Sequence, residues 1–225
     1  MNENFLIIVA HSDDETISMA GTICKHIKKG DKVYITSMTN GVGARGRDND
    51  CDLKERKLSA NKASQILGFQ WIEYYDFADN AMDNYPLIEV VKCIEKVKNK
   101  YKPSIVYTHT NADLNVDHRV VLNAVLTAFR PQPGELCKEI RLFEVPSSTD
   151  YGSPEMATRF RPNLFVDISI FLKKKLLALK SYQSEMRQYP HSRSIEGILN
   201  LSKRRGNQVG FNLAEAFEVV RKLEY

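Results

Sequence analysis

Phe5-Leu6-Ile7-Ile8-Val9-Ala10-His11-Ser12-Asp13-Asp14-Glu15 is an apolar run that ends in an imidazole and a group of carboxylates. Phe5 to Val9 is short, apolar and rich in β-branched side chains, which reads as a buried strand. The next stretch, Thr16 to Lys29, has helical spacing and stops at Gly30, a residue suited to a helix C-terminus. The polar cluster therefore stands where a strand hands over to a helix. In α/β sheets that point, the carboxyl end of a strand, is where ligands and chemistry gather. A second cluster, Asp113-Leu-Asn115-Val-Asp117-His118, follows the apolar strand Ser104-Ile-Val-Tyr-Thr108. Each cluster reads as half of a metal site.

Strands and helices alternate outward from these two points. Strands are predicted at about 4–10, 32–37, 70–75, 104–108 and 140–145. Helices are predicted at about 16–29, 53–67, from Pro86 to before Pro103, and at 117–129. The alternation implies an α/β fold, Rossmann-like, with a mostly parallel sheet and helices on both faces. After Pro146 the pattern changes to a polar loop reaching Pro162, a short strand at 164–168 and a long helix at 169–188. Residues 194–204 read as a helix ending at Gly206, and Leu213 to Val220 as either a helix or a strand. This last third is expected to cap the catalytic edge of one domain spanning residues 1–225. Lys173-Lys174-Lys175 reads as the wet face of a helix, and His26 as a surface residue.

The 225 residues suffice for one large α/β domain with a sizeable core. A content of 43% hydrophobic and 27% charged residues excludes a disordered chain. The net charge of +4 is mild and mixed along the chain. It admits an anionic substrate, and with no aromatic-basic stripe it disfavours a nucleic-acid partner. Cys24, Cys51, Cys93 and Cys137 are scattered without a CxxC pair, which fits free thiols in a reducing compartment, with Cys24 and Cys93 as core fillers. No apolar stretch approaches the roughly 20 residues of a membrane span, and no basic-then-apolar leader precedes the first strand. The expectation is a soluble cytoplasmic protein, with both a monomer and a homo-oligomer open.

A catalytic zinc takes three protein ligands and keeps one position for water. His11 and Asp14 on a tight turn, with His118 at the head of a later helix, supply two imidazoles and a carboxylate. Asp13, beside a ligand but pointing elsewhere, can take a proton without binding the ion. Asp117 can fix an imidazole tautomer. Either cluster alone also reads as a helix cap, since acidic residues suit a first turn. Two such caps at the strand ends of one sheet are less economical than one metal site.

These motifs resemble those of the PIG-L/LmbE family of zinc-dependent N-deacetylases, which act on N-acetylglucosamine-type substrates. The family's (P/A)HPDDE reads here Ala10-His11-Ser12-Asp13-Asp14-Glu15, and its later DH is Asp117-His118. The likeness extends to Arg56, the Asp79 loop, Tyr182…Glu185…Tyr189-Pro-His191-Ser-Arg193-Ser, and Ala214-Glu215-Ala216-Phe217. It implies that His11, Asp14 and His118 bind Zn2+, with another divalent ion such as Fe2+ as an alternative, and that Asp13 is the general base. One departure stands out. Well-known members carry HPDH, whose first histidine steadies the oxyanion or protonates the amine, and here that place is Asn115. Asn115 can donate a hydrogen bond but is no acid near neutral pH. The proton donor is then Asp13 itself, or His191, which reads equally as an exposed loop residue. His109, at the end of a strand, is either a further donor or a buried orienting group.

Substrate contacts are open to two readings each. Arg56 and Arg193 either hold a phosphate or carboxylate or form surface salt bridges. Asp79 either accepts sugar hydroxyls or begins a turn. Asn40 joins them as a substrate-binding candidate, in a loop where Gly41 and Gly43 either let the backbone approach a ligand or serve a tight turn. Trp71, Tyr74 and Tyr75 read as core. The expected activity is removal of the N-acetyl group from an amino sugar or its conjugate by metal-activated water. The rivals are a non-catalytic sugar- or nucleotide-binding protein on the same fold and a nucleic-acid hydrolase.

Overall fold

In the computed structural model, β1 (Asn4–Val9) lies at the centre of a seven-stranded sheet of order β3-β2-β1-β4-β5-β7-β6. The structure describes residues 3–43, 50–152 and 159–224. Residues 44–46 of the glycine-rich loop and 153–158 of the polar loop lie outside it. The other strands are β2 (Lys32–Thr39), β3 (Gln70–Phe77), β4 (Ile105–His109), β5 (Glu139–Phe143), β6 (Leu164–Asp167) and β7 (Ala214–Lys222). The helices are α1 (Asp14–Lys29), α2 (Asp50–Leu67), α3 (Leu87–Tyr101), α4 (Val116–Ala128), α5 (Leu172–Leu179) and α6 (Ile195–Asn207). No described helix is long and apolar enough to cross a membrane.

β1 reads as an unbroken apolar run because both of its faces are buried. Phe5, Ile7 and Val9 pack in one core with residues of α1, α2 and α5, whereas Leu6, Ile8 and Ala10 join the core built by α3 and α4. This is the two-residue period of a strand with helices on both sides. The five strands from β3 to β5 are all parallel. The chain winds from β1 to β2 and β3 on one side, then returns to β4 and β5 on the other. The crevice between β1 and β4 is thus the topological switch point, where ligands bind in open α/β sheets.

The C-terminal third does more than cap. It adds β7 antiparallel to β5, and β6 antiparallel to β7. Leu213 to Val220 therefore resolves as strand, because a partner on each side satisfies its backbone groups. The single long helix read over 169–188 is instead a short α5 flanked by 3-10 turns at Ser169–Phe171 and Lys180–Tyr182. The tighter second turn swings Tyr182 inward, where its hydroxyl donates to Glu15 Oε1 at 3.0 Å. Lys175 is not on a wet face but 3% exposed. His26 is likewise buried: its Nε2 lies 3.0 Å from the Tyr107 hydroxyl and its Nδ1 3.1 Å from Asp31 Oδ2. Neighbouring helical lysines, Lys25 and Lys28 around His26 and Lys173 and Lys174 before Lys175, disguise these inward-facing positions. Cys24 is buried as expected, whereas Cys93 is only partly so. Tyr74, on edge strand β3, is exposed rather than core.

Candidate active site

Both clusters fall at the switch point because β1 and β4 are direct neighbours, with Phe5 opposite Ile105 and Ile7 opposite Tyr107. After β1 the chain turns at once. The His11 carbonyl accepts the amides of Asp13 at 3.0 Å and Asp14 at 3.2 Å. α1 then starts at Asp14, and the first-turn carboxylates face its positive end. After β4 the chain loops to Asn115, whose Oδ1 accepts the amides of Asp117 at 2.8 Å and His118 at 3.3 Å. Asn115 is the N-cap of α4, a position that favours Asn. That cap gives a structural reason for an asparagine where well-known relatives carry histidine.

Three atoms that could hold a metal ion meet in the crevice. His11 Nδ1 lies 3.2 Å from His118 Nε2 and 3.4 Å from Asp14 Oδ2, and His118 Nε2 lies 3.4 Å from the same oxygen. An ion held tetrahedrally at roughly 2.0–2.1 Å from each donor requires donors about 3.3 Å apart. The triangle matches that spacing, and all three residues are buried. Asp14 Oδ1 is also buried and has no hydrogen-bond partner.

Each imidazole is braced from behind. His11 Nε2 lies 3.1 Å from both Asp117 Oδ2 and Asp79 Oδ1. Asp117 is itself fixed by the amides of Asn80 at 2.7 Å and Met82 at 3.0 Å. His118 Nδ1 lies 3.0 Å from Asp113 Oδ2, which also accepts from the hydroxyls of Ser148 and Thr149. A carboxylate behind a ligand imidazole sets its tautomer and orientation. Asp117 thus backs His11 rather than its sequence neighbour His118, and Asp113 takes the place behind His118. Asp113 received no role from sequence. The loop over 110–115 folds back on α4, and a spacing of five residues carries no signature for that.

His109 is fully buried and stacked on His118, ring centroids 3.9 Å apart. Its Nε2 accepts the Ala10 amide at 2.9 Å, so it orients the end of β1 and the His118 ring. Burial, reinforced by the charge of His118, holds its pKa well below the usual histidine value. Burial also opposes charge on His11 and His118, but carboxylates reverse the balance. Asp117, Asp14 and Asp79 hold His11 well above its ordinary pKa, and Asp14 and Asp113 push His118 to about 9. Asp14 is correspondingly held well below the carboxylate range, against its burial, chiefly by His118. Glu15, the last residue of the motif, lies deeper, and desolvation raises it to about 8.

Asp13 faces away from the triangle. Its Oδ1 accepts from Arg56 Nη2 at 2.8 Å, while its Oδ2 is buried without a hydrogen-bond partner, 3.7 Å from Arg193 Nη1. Burial raises its pKa, partly offset by Arg56. Arg56 is buried too. Its remaining atoms pair with Glu185 Oε1 at 2.9 Å and donate to Ser12 Oγ at 3.2 Å. Gly41 has φ +71°, and a Cβ there would come within 3.4 Å of the Arg56 side chain. Both the turn and the guanidinium therefore favour glycine at that position.

A cavity of about 110 Å³ opens on this group, lined by His11, Asp13, Arg56, Asp79, Asn115, Glu185 and Arg193 among others. Asn40 is one residue outside the lining, and its Oδ1 accepts the Val42 amide. His191 is not part of the lining; its Nδ1 accepts the Arg193 amide at 3.0 Å. Arg193 reaches the cavity from a loop tied by its Nε to Ser147 Oγ at 2.8 Å.

The chain belongs to the PIG-L family, described as GlcNAc-PI de-N-acetylase, whose model matches residues 6–129. Over 188 residues it is 27% identical to an uncharacterised deacetylase, YaiS, of Escherichia coli K12, covering 81% of this chain and 91% of that one. It is 30% identical to the diacetylchitobiose deacetylase of Thermococcus kodakarensis over 80% of this chain and 69% of that protein. Its fold matches the zinc-inhibited form of the teicoplanin deacetylase Orf2 with a TM-score of 0.77 at 17% identity, over 99% of this chain and 100% of that one. The family match and the relatives described as deacetylases make this chain an N-deacetylase.

Proposed function

We propose that the protein is a zinc-dependent hydrolase that removes the acetyl group from an N-acetylated amino sugar or its conjugate, such as a glycan, nucleotide sugar or small glycoside, in the cytoplasm. The observation that carries this reading is the His11–Asp14–His118 triangle of tetrahedral spacing, with Asp13 lining the same cavity as His11. Relatives described as acting on diacetylchitobiose and teicoplanin support the substrate class. A divalent ion on these three ligands would polarise the acetyl carbonyl and bring the pKa of a water to roughly 7. The donor set suits zinc, and Fe2+ also accepts two imidazoles and a carboxylate.

The protein's own groups supply the rest. Asp13, its Oδ1 pinned by Arg56, takes the water proton on Oδ2, which accepts no hydrogen bond. As the C–N bond breaks, the same carboxyl returns that proton to the departing amine, so no separate acid is required. Asn115 Nδ2 donates one hydrogen to Asn80 Oδ1 at 3.0 Å and keeps a second for the developing oxyanion. His191 is the second candidate donor and would act through Nε2, since its Nδ1 is taken. Asp79 and Arg193, which line the cavity, and Asn40, one residue beyond it, are the candidate contacts to sugar hydroxyls. Arg56, already committed to Asp13 and Glu185, serves as their anchor in this reading.

The test is Asp13→Ala with zinc content and acetate release measured together on a panel of N-acetylated sugars. The expected result is full zinc occupancy with turnover lowered about 10²–10⁴-fold, the usual contribution of a positioned proton acceptor. Loss of zinc from this variant would show that the two aspartates have been assigned the wrong way round.

A further inference from the structure

α1 is not one helix. Met19 has φ −143° and ψ 23°, which interrupts the ladder and separates the turn Asp14–Ser18 from the remainder of the helix. Gly21 and Thr22 lie four residues beyond Ile17 and Ser18, whose carbonyls their amides would meet in a regular helix. Both amides donate to Glu215 of β7. Gly21 N–H donates to Oε1 at 3.0 Å, Thr22 N–H to Oε2 at 2.7 Å, and the Thr22 hydroxyl to Oε2 at 2.7 Å. Across the break, Lys175 of α5 donates to the Ile17 carbonyl at 3.2 Å and pairs with Glu215 Oε1 at 2.6 Å. A negative group meets the N-terminal end of the lower segment, and a positive group the C-terminal end of the upper turn. Both signs complement the helix dipole. Gly21 completes the seam, since a Cβ there would lie 2.6 Å from the Ile168 side chain.

The side chains of Lys175 and Glu215 are 4% and 3% exposed. Apolar groups in place of such a pair are often neutral or stabilising, so stability alone accounts poorly for these charges. Their effect on geometry is specific, because the upper turn begins with Asp13 and Asp14. We propose that Lys175 and Glu215 are positioning residues for the metal centre: by bridging the broken ladder they set the tilt of the Asp14–Ser18 turn and so aim the Asp14 carboxylate at the imidazoles of His11 and His118. This rests on the reading of those three residues as ligands.

The experiment compares Glu215→Gln, Lys175→Met and the double variant with Leu179→Ala, a core truncation in α5 that serves as the stability control. Each metal-stripped protein is titrated with Co2+ at 25 °C. Affinity is read by competition with a chromophoric chelator, and ligand geometry from the Co2+ absorption spectrum; thermal melts report stability. The expected result is affinity weakened about tenfold, as for other groups that orient ligands, with an altered spectrum in all three charge variants. Leu179→Ala should lower Tm while keeping the native affinity and spectrum. With zinc restored, kcat falls and KM is unchanged in the charge variants. Glu215→Gln should be more damaging than Lys175→Met, because its amide presents hydrogens to an N–H group. Lys175→Arg should recover part of the affinity. Native Co2+ affinity and spectrum in the double variant would overturn the inference, as would an equal loss in Leu179→Ala. A wild-type protein that binds no ion would overturn the ligand reading and this inference with it.

Discussion

Asp113 shows how much of the site depends on residues that bear no motif. It makes no contact of its own with the proposed ion position, yet it faces His118 Nδ1 and gathers two hydroxyls and an amide. Asp113→Ala should weaken zinc affinity about 10–100-fold, and Asp113→Asn, which keeps one acceptor, should weaken it less. Equilibrium dialysis of the two variants checks the order. At this scale the sequence was a good guide to what converges and a poor one to what stands behind it. His11, Asp13 and Asp14 are legible because the end of β1 concentrates them within a few positions of each other, and His118 because it follows Asp117 at the head of the helix after β4. Asp117 contacts His11, a partner 106 positions away, and no local spacing encodes that pairing. Arg56 reads from sequence either as a fork for a substrate anion or as a surface salt-bridge partner, and the structure gives it two ion pairs, with Asp13 and Glu185, in a buried position.

Elements carry the site through their ends. α4 presents His118 from its first turn, and the Asn115 cap fixes where that turn begins. Asn115→Ala should cost about 1 kcal/mol of stability, and Asn115→Ser much less, because serine caps nearly as well; chemical denaturation measures both. A catalytic defect in Asn115→Ser beyond any change in stability would isolate the second Nδ2 hydrogen as an oxyanion donor. The central elements were legible because β1 and β4 are apolar on both faces and α1 and α3 have clear stops. α5 was over-extended in the sequence reading because a lysine-rich stretch with regular apolar spacing looks the same whether or not its last turn tightens. β7 was ambiguous for a related reason. Ala-Glu-Ala-Phe suits either period, and only pairing with β5 and β6 selects the strand.

At the scale of the whole molecule, the far end of the sheet contributes a pH response independent of the active site. His26 is buried between Phe5, Tyr107 and Asp31. Desolvation lowers its pKa to about 4, from a usual 6.5. The unfolded chain therefore binds this proton more readily, so the stabilisation is complete above about pH 6.5 and drains away as pH falls towards 4. The span is worth about 3 kcal/mol. Unfolding free energies of the wild type and His26→Gln between pH 4 and 8 should converge towards the acid end, and parallel curves would exclude the effect. Zinc at a hundredfold excess over Kd should add about 2.7 kcal/mol to stability, seen as a rise in Tm that a chelator reverses. The same geometry has a consequence for biogenesis. His11 and His118 are separated by 107 positions, on either side of the chain's change of winding direction. An N-terminal fragment released before α4 is synthesised holds two of the three donors and cannot close the triangle. On the proposed ligand set, capture of an ion would thereby be deferred until β4 has docked beside β1 and α4 has formed, a late clasp that rewards only a chain whose two halves have already found each other.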